Sequence, residues 1–303
     1  MKKDLISIKD LTAEEITGIF LLTDKLKKNK NKFAKALKGK TLGLIFQKPS
    51  NRTRVSFEVG CFQLGGNSLY LSPGEISLGV RESIADVAMT LSRYIDAIVL
   101  RTFEHNNCLE MARAATVPVI NGLSDFSHPC QALADLYTVK EKFKSLKNIT
   151  LSYIGDGNNV CNSLLFICAK LGVNIKVGSP DGYAPAESVL KDAMAFAKIS
   201  GSTVNLFNNA KEAVKNADVI YTDVWASMGQ EEEAKERKKI FGEFQVSSDL
   251  VSLANKDALI MHCLPAHRQE EITSEVLDSK NSVVFDQAEN RMHVQKAILI
   301  KLL

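Results

Sequence analysis

Long apolar runs are missing from this sequence. No stretch approaches the roughly 20 consecutive apolar residues that a membrane-spanning helix needs. The opening MKKDLISIKDLTAEEI alternates polar and apolar residues after two lysines, without the apolar centre of a secretory signal. Both absences lead to the expectation of a cytoplasmic protein with no membrane partner. A surplus of one charge is lacking too: 38 basic and 35 acidic residues leave a formal net charge of +3. That balance gives no reason to expect nucleic acid, whose partners usually carry a dense basic patch. Cysteine pairing is also absent. Cys61, Cys108, Cys130, Cys161, Cys168 and Cys263 are scattered with no CxxC, which disfavours a disulfide framework and a zinc site, so no metal is expected. Most of them read as small core residues, and only Cys263 stands in a different setting.

What is present is alternation. Short β-rich runs, TLGLIFQ, NSLYLS, AIVLRT, PVINGL, ITLSYIGD, NIKVGSP, TVNLFN, VIYTDV, ALIMHCLP and SVVFDQ, recur with helical segments between them. This is the pattern of parallel sheets covered by helices on both faces. With 303 residues, the fold class expected is α/β, with two doubly wound parallel-sheet domains joined by linking helices. The first domain is expected to span 1–140 and the second 148–287, divided at the lysine-rich VKEKFKSLKN. The last segment, 288–303, reads as a helix returning to the first domain. The run GQEEEAKERKKIFG has Glu231/Lys235 and Glu233/Arg237 at i,i+4 spacing and reads as a solvated surface helix.

Ligands of doubly wound sheets bind beyond the carboxyl ends of the strands, so the loops there carry the chemistry. After TLGLIFQ comes KPSNRTR, in which Ser50 precedes a helical stretch and offers hydroxyl and backbone N–H groups to an anion. Arg52 and Arg54 point to divergent faces, and Arg52 is favoured as the anion ligand. Arg101 ends the AIVLRT run. In SDFSHPCQALADLY, Pro129 suits the first helical position, which places His128 at the cap and Gln131 one turn on. Such a pair can grip a small carbonyl or amide group.

In YIGDGNNVCNSLL a glycine turn invites a dinucleotide reading. Val160 replaces the third glycine, however, and the next strand ends in Ser179 rather than an acid. Asn158 and Asn159 instead offer amides to a polar substrate. Asp223 in YTDVWASMG and Cys263 in MHCLPAHR close two further strands; a carboxylate and a thiol there suit binding and deprotonating an amine. A nicotinamide-dependent oxidoreductase and a non-catalytic two-lobed binding protein stay open at this point.

Taken together, SNRTR, HPCQALADL, DVWASMG, HCLP and FDQAENRMH resemble the motifs of the aspartate/ornithine carbamoyltransferase family along essentially the whole chain, with DVWASMG and HCLP similar to its ornithine branch. The resemblance implies carbamoyl transfer from carbamoyl phosphate to the δ-amine of L-ornithine, giving citrulline and phosphate, with no organic cofactor. Another acceptor such as putrescine or an N-acylornithine is the alternative. It further implies that Ser50, Asn51, Arg52 and Thr53 hold the phosphate and that Arg101, His128 and Gln131 hold the carbamoyl end. Cys263, Leu264 and Arg291 would close that site, and Asn159, Asp223, Ser227 and Met228 would hold ornithine. A homotrimer with shared sites and a cis bond before Pro265 are also implied. Two positions depart from the family pattern: Asn51 replaces a threonine, although it could still cap the helix, and Ser77 replaces a glutamine or histidine that reaches a neighbouring subunit.

Overall fold

A computed structural model describes residues 3–226 and 233–303. The chain divides into two compact units, Met1–Tyr137 with Glu289–Leu303, and Thr138–Ala288. The first contains strands β1 (Thr41–Phe46), β2 (Asn67–Leu71), β3 (Ala97–Arg101) and β4 (Val119–Leu123), all parallel, in the order β2-β1-β3-β4. β3 is buried along its whole length and β1 at all but its first residue, which is why both read as unbroken apolar runs. The β3–β4 register shifts between Leu100 and Arg101, an irregularity of the kind that re-aims a side chain at a strand end.

The second unit contains β5 (Thr150–Ile154), β6 (Asn174–Gly178), β7 (Val204–Phe207), β8 (Val219–Thr222) and β9 (Leu259–His262), again parallel, in the order β7-β6-β5-β8-β9. Strand order reverses between β1 and β3 in one sheet and between β5 and β8 in the other, so each sheet has a switch point where a crevice opens. The two are built alike. Asp96, just before β3, accepts the Thr41 N–H at 2.8 Å and donates its own N–H to the Thr41 carbonyl. Asp218, just before β8, does the same with Thr150. These clamps lock the amino ends of each central pair.

One strand expected from sequence is not formed. Residues 282–287 make only an isolated bridge, Ser282 with Ile260, and a helix runs from Val284 to Leu302. The β-branched pair Val283–Val284 gives the run a strand-like look, but Gln287 reaches back to the His262 N–H at 3.1 Å and the Tyr221 hydroxyl at 3.2 Å. Burial of that side chain on a helical turn outweighs local β propensity. A second correction concerns the charged run. Helix Ala234–Phe241 exposes Lys235, Glu236, Lys238 and Lys239, as a solvated helix should, but Arg237 is buried. Glu231 lies outside the described residues; the Glu233–Arg237 pair forms at 3.0 Å. No helix among the described residues is long and apolar enough to cross a membrane.

Candidate active site

In the first unit, the chain leaves β1 and enters helix Asn51–Gln63 through Ser50, whose hydroxyl accepts the Thr53 N–H at 3.3 Å. Ser50, in extended conformation, is therefore the cap, and Asn51 is the first helical residue, exposed, rather than a capping group. Arg54 is engaged elsewhere: its Nε donates to Glu58 at 2.9 Å and its guanidinium lies 3.8 Å from the centroid of the Tyr70 ring. Thr53 faces inward, where its hydroxyl accepts a bond from Arg291 Nη2 at 3.0 Å. Arg291 Nη1 donates to Gln131 Oε1 at 2.7 Å, and Gln131 Nε2 donates to Asp135 at 2.7 Å. The amide orientation of Gln131 is fixed from both sides.

His128 precedes helix Pro129–Phe143, and its carbonyl accepts the Gln131 and Ala132 N–H groups. Burial, and then the positive charges of Arg291, Arg101 and Arg52, hold its imidazole well below the usual value. One neutral histidine thus stands among three guanidinium groups brought from the end of β3, the start of one helix and the C-terminal helix. Such a concentration of positive charge, with Arg101 and Arg291 buried, suits an anion. Sequence reasoning missed the support for this arrangement. Gln47, at the end of β1, accepts bonds from Thr102 and Asn107 and donates to the Leu78 carbonyl at 3.0 Å, tying the β1 and β3 ends together. Ser77 is the left-handed cap (φ 40°) of the short Pro73–Ile76 turn and is half-buried.

In the second unit, Asn158 caps helix Asn159–Leu171. Its Oδ1 accepts the Val160 and Cys161 N–H groups at 2.9 and 3.1 Å, which leaves Nδ2 to donate to Asp223 Oδ2 at 2.9 Å. Asn158, rather than Asn159, is the residue bonded to Asp223. Asp223 Oδ1 accepts the Val224 N–H at 2.8 Å and the Cys263 thiol at 2.9 Å. A carboxylate has about four acceptor positions, so three internal donors leave room for one more. Ser227 and Met228 lie outside the described residues.

Cys263 follows β9, and Leu264 adopts φ 57° before a cis bond to Pro265. The backbone N–H of Leu264 donates to His262 Nδ1 at 2.8 Å. The imidazole proton is therefore on Nε2, which faces Glu271 Oε1 at 3.1 Å, both side chains being fully buried. Donor atoms of Asp223, His262 and Cys263 lie within 4.8 Å of one another, but a metal would displace a bond that holds this turn. His267, Glu270 and Glu271 form a second such group, where Glu270 is paired with Lys238 at 2.6 Å. The glycine turn after β5 has its own explanation. A Cβ on Gly157 would fall 2.3 Å from the Pro185 nitrogen, so the glycine serves chain packing.

Two family models match the chain: the carbamoyl-P binding domain of aspartate/ornithine carbamoyltransferase over residues 3–141, and the Asp/Orn binding domain of the same family over residues 147–302. The anabolic ornithine carbamoyltransferase of Pyrococcus furiosus is 56% identical over 300 residues, covering 98% of this chain and 95% of that protein. The ornithine carbamoyltransferase of Bacillus subtilis is 52% identical over 301 residues, covering 99% and 94%. Among solved structures, the ornithine carbamoyltransferase of Pyrococcus furiosus matches with a TM-score of 0.97 at 54% identity, covering 100% of this chain and 97% of that one. The Thermus thermophilus ornithine carbamoyltransferase matches at 0.90 and 40% identity, covering 100% and 99%. With both halves of the fold matched, the chain belongs to the aspartate/ornithine carbamoyltransferase family.

Proposed function

We propose that the protein transfers the carbamoyl group of carbamoyl phosphate to the δ-amine of L-ornithine, releasing citrulline and phosphate. The observation that carries this reading is the gathering of Arg52, Arg101 and Arg291 around the buried His128, with Arg291 bonded to both Thr53 and Gln131, a setting for a small phosphorylated anion. Residues 1–140 with the C-terminal helix form the carbamoyl-phosphate domain, and residues 148–287 form the ornithine domain.

Ser50, Asn51, Arg52 and Thr53 hold the phosphate, where each bond to a charged group contributes about 1.5–3 kcal/mol. Arg101, Thr53 and His128 stabilise the oxyanion that develops as the amine attacks, and losing one such donor costs about 2.7–4 kcal/mol. Gln131 orients the carbamoyl amide and Arg291 positions Gln131 and Thr53, with Cys263 and Leu264 closing the site. The leaving group is phosphate, stabilised as its charge is held, so no metal or organic cofactor takes part.

The amine is the harder problem. With a lysine-like pKa near ~10.4, about 0.4% is neutral at pH 8, a handicap of about 3.3 kcal/mol. Asp223, aided by Asn159, Ser227 and Met228, orients the amine in its remaining acceptor position. Cys263 helps draw the proton by passing its own S–H proton to Asp223 as it takes that of the amine, and the departing phosphate is the final acceptor. The protein acts in the cytoplasm as a homotrimer. Val55, Val59 and Phe62 form an exposed apolar stripe along helix Asn51–Gln63 that supports burial against another subunit. The test is citrulline formation by purified protein from carbamoyl phosphate and L-ornithine; no citrulline at any substrate concentration overturns the reading.

A further inference from the structure

We propose that Arg237 is a positioning residue for the amine acceptor: one buried guanidinium ties the loop after β5 to the loop after β8 and so sets the geometry of the Asn158–Asp223 pair. The inference rests on the assignment of Asp223, which Asn158 holds, to ornithine. Arg237 Nη1 donates both to Asp156 Oδ2 at 2.9 Å and to the Trp225 carbonyl at 2.9 Å. Its Nε donates to Glu233 at 3.0 Å, and the guanidinium lies 5.0 Å from the Tyr183 ring centroid.

The two arms are matched. Asp156 stands two residues before Asn158, and Trp225 stands two residues after Asp223. Asn158 and Asp223 are bonded to each other at 2.9 Å. The contacts therefore close a ring, Arg237 to Asp156 to Asn158 to Asp223 to Trp225 and back to Arg237, across the switch point of this sheet. Tyr153, from β5, braces one arm by donating to the Asp156 carbonyl at 2.9 Å.

A plainer role, neutralising a buried acid, accounts for only part of this. Burial raises the Asp156 carboxyl above its usual value, and the Arg237 charge opposes that. Neutralisation needs a single cation near the carboxylate. It does not need the Trp225 carbonyl, an uncharged group on the other loop; both bonds come from Nη1, which lies one bond farther from Cα than a lysine ammonium, while Nε is held separately by Glu233.

The two roles separate in variants. Arg237→Lys keeps the charge beside Asp156 but loses the cross-tie, whereas Asp156→Asn loses the charge but keeps an acceptor oxygen for Nη1. Positioning predicts that Arg237→Lys raises the KM for ornithine about tenfold or more, as expected for one lost bond to a charged group. Asp156→Asn should be milder, and the dissociation constant for carbamoyl phosphate should be unchanged in both. Arg237→Gln should be worse than either, and if it fails to fold the other two carry the test. The reverse order, or a lowered Tm with an unchanged ornithine KM, overturns the inference alone. A wild-type protein that makes no citrulline overturns the functional reading, and this inference with it.

Discussion

Replacing Asp223 with asparagine tests the division of labour between the two units most severely. Asp223 accepts three bonds, from Asn158, Val224 and Cys263, at 2.8–2.9 Å. An asparagine offers one oxygen and one NH2. If the oxygen stays toward Val224 and Cys263, the NH2 confronts the Asn158 NH2. Asn158 cannot relieve this by turning over, because its own oxygen holds the Val160 and Cys161 N–H groups of its helix. If the oxygen turns toward Asn158 instead, Val224 and Cys263 lose their acceptor. Either way at least one internal bond is replaced by a donor–donor conflict, and the charge proposed to orient the amine is gone. Two such losses at about 1.5–3 kcal/mol each predict a fall in ornithine kcat/KM of about two to four powers of ten. Steady-state rates with ornithine varied at saturating carbamoyl phosphate give that number, and calorimetric titration with carbamoyl phosphate alone checks that the first unit is untouched. A collapse of carbamoyl-phosphate binding, or an ornithine kcat/KM within about tenfold of wild type, refutes the reasoning.

Two further predictions concern protons. The rate at saturating ornithine should rise between about pH 7 and 9 as the acceptor amine loses its proton; a flat profile shows that proton removal is not limiting. His128, His105 and His293 are all held below the usual imidazole value, chiefly by burial. The folded chain keeps them neutral where the unfolded chain takes up protons. Their contribution to stability is therefore full above ~6.5 and is lost as pH falls, at about 1.4 kcal/mol per pH unit for the deeply buried His128. Urea unfolding at pH 7.5 and 5.5 measures this, and an unchanged midpoint contradicts it.

Much of the fold was legible because central parallel strands announce themselves. β1 and β3 are shielded on both faces, so LGLIF and AIVL read as continuous apolar runs. The same logic misled at SVVFDQ, where two valines buried beside a helix start look like a strand. The start of the helix after β1 was legible through its cap, since Ser50 followed by a helical pattern specifies a helix N-terminus. What could not be read were partnerships between residues far apart in the chain. The clamps of Asp96 and Asp218, the His262–Glu271 pair and the burial of Arg237 each depend on a neighbour that no local period reveals. Arg237 in particular sits in a run of exposed lysines and glutamates, and only its contact with Asp156, far back in the chain, distinguishes it from them.

The choice of acceptor is the centre of the account, and a competition experiment addresses it directly. Purified protein would be given carbamoyl phosphate and an equimolar mixture of L-ornithine, L-aspartate, putrescine and N-acetylornithine, with products identified by mass spectrometry. The account predicts citrulline as the dominant product. Carbamoylaspartate, carbamoylputrescine or carbamoylated acetylornithine in its place would leave the proposed phosphate loop standing and contradict the assignment of Asp223 to ornithine.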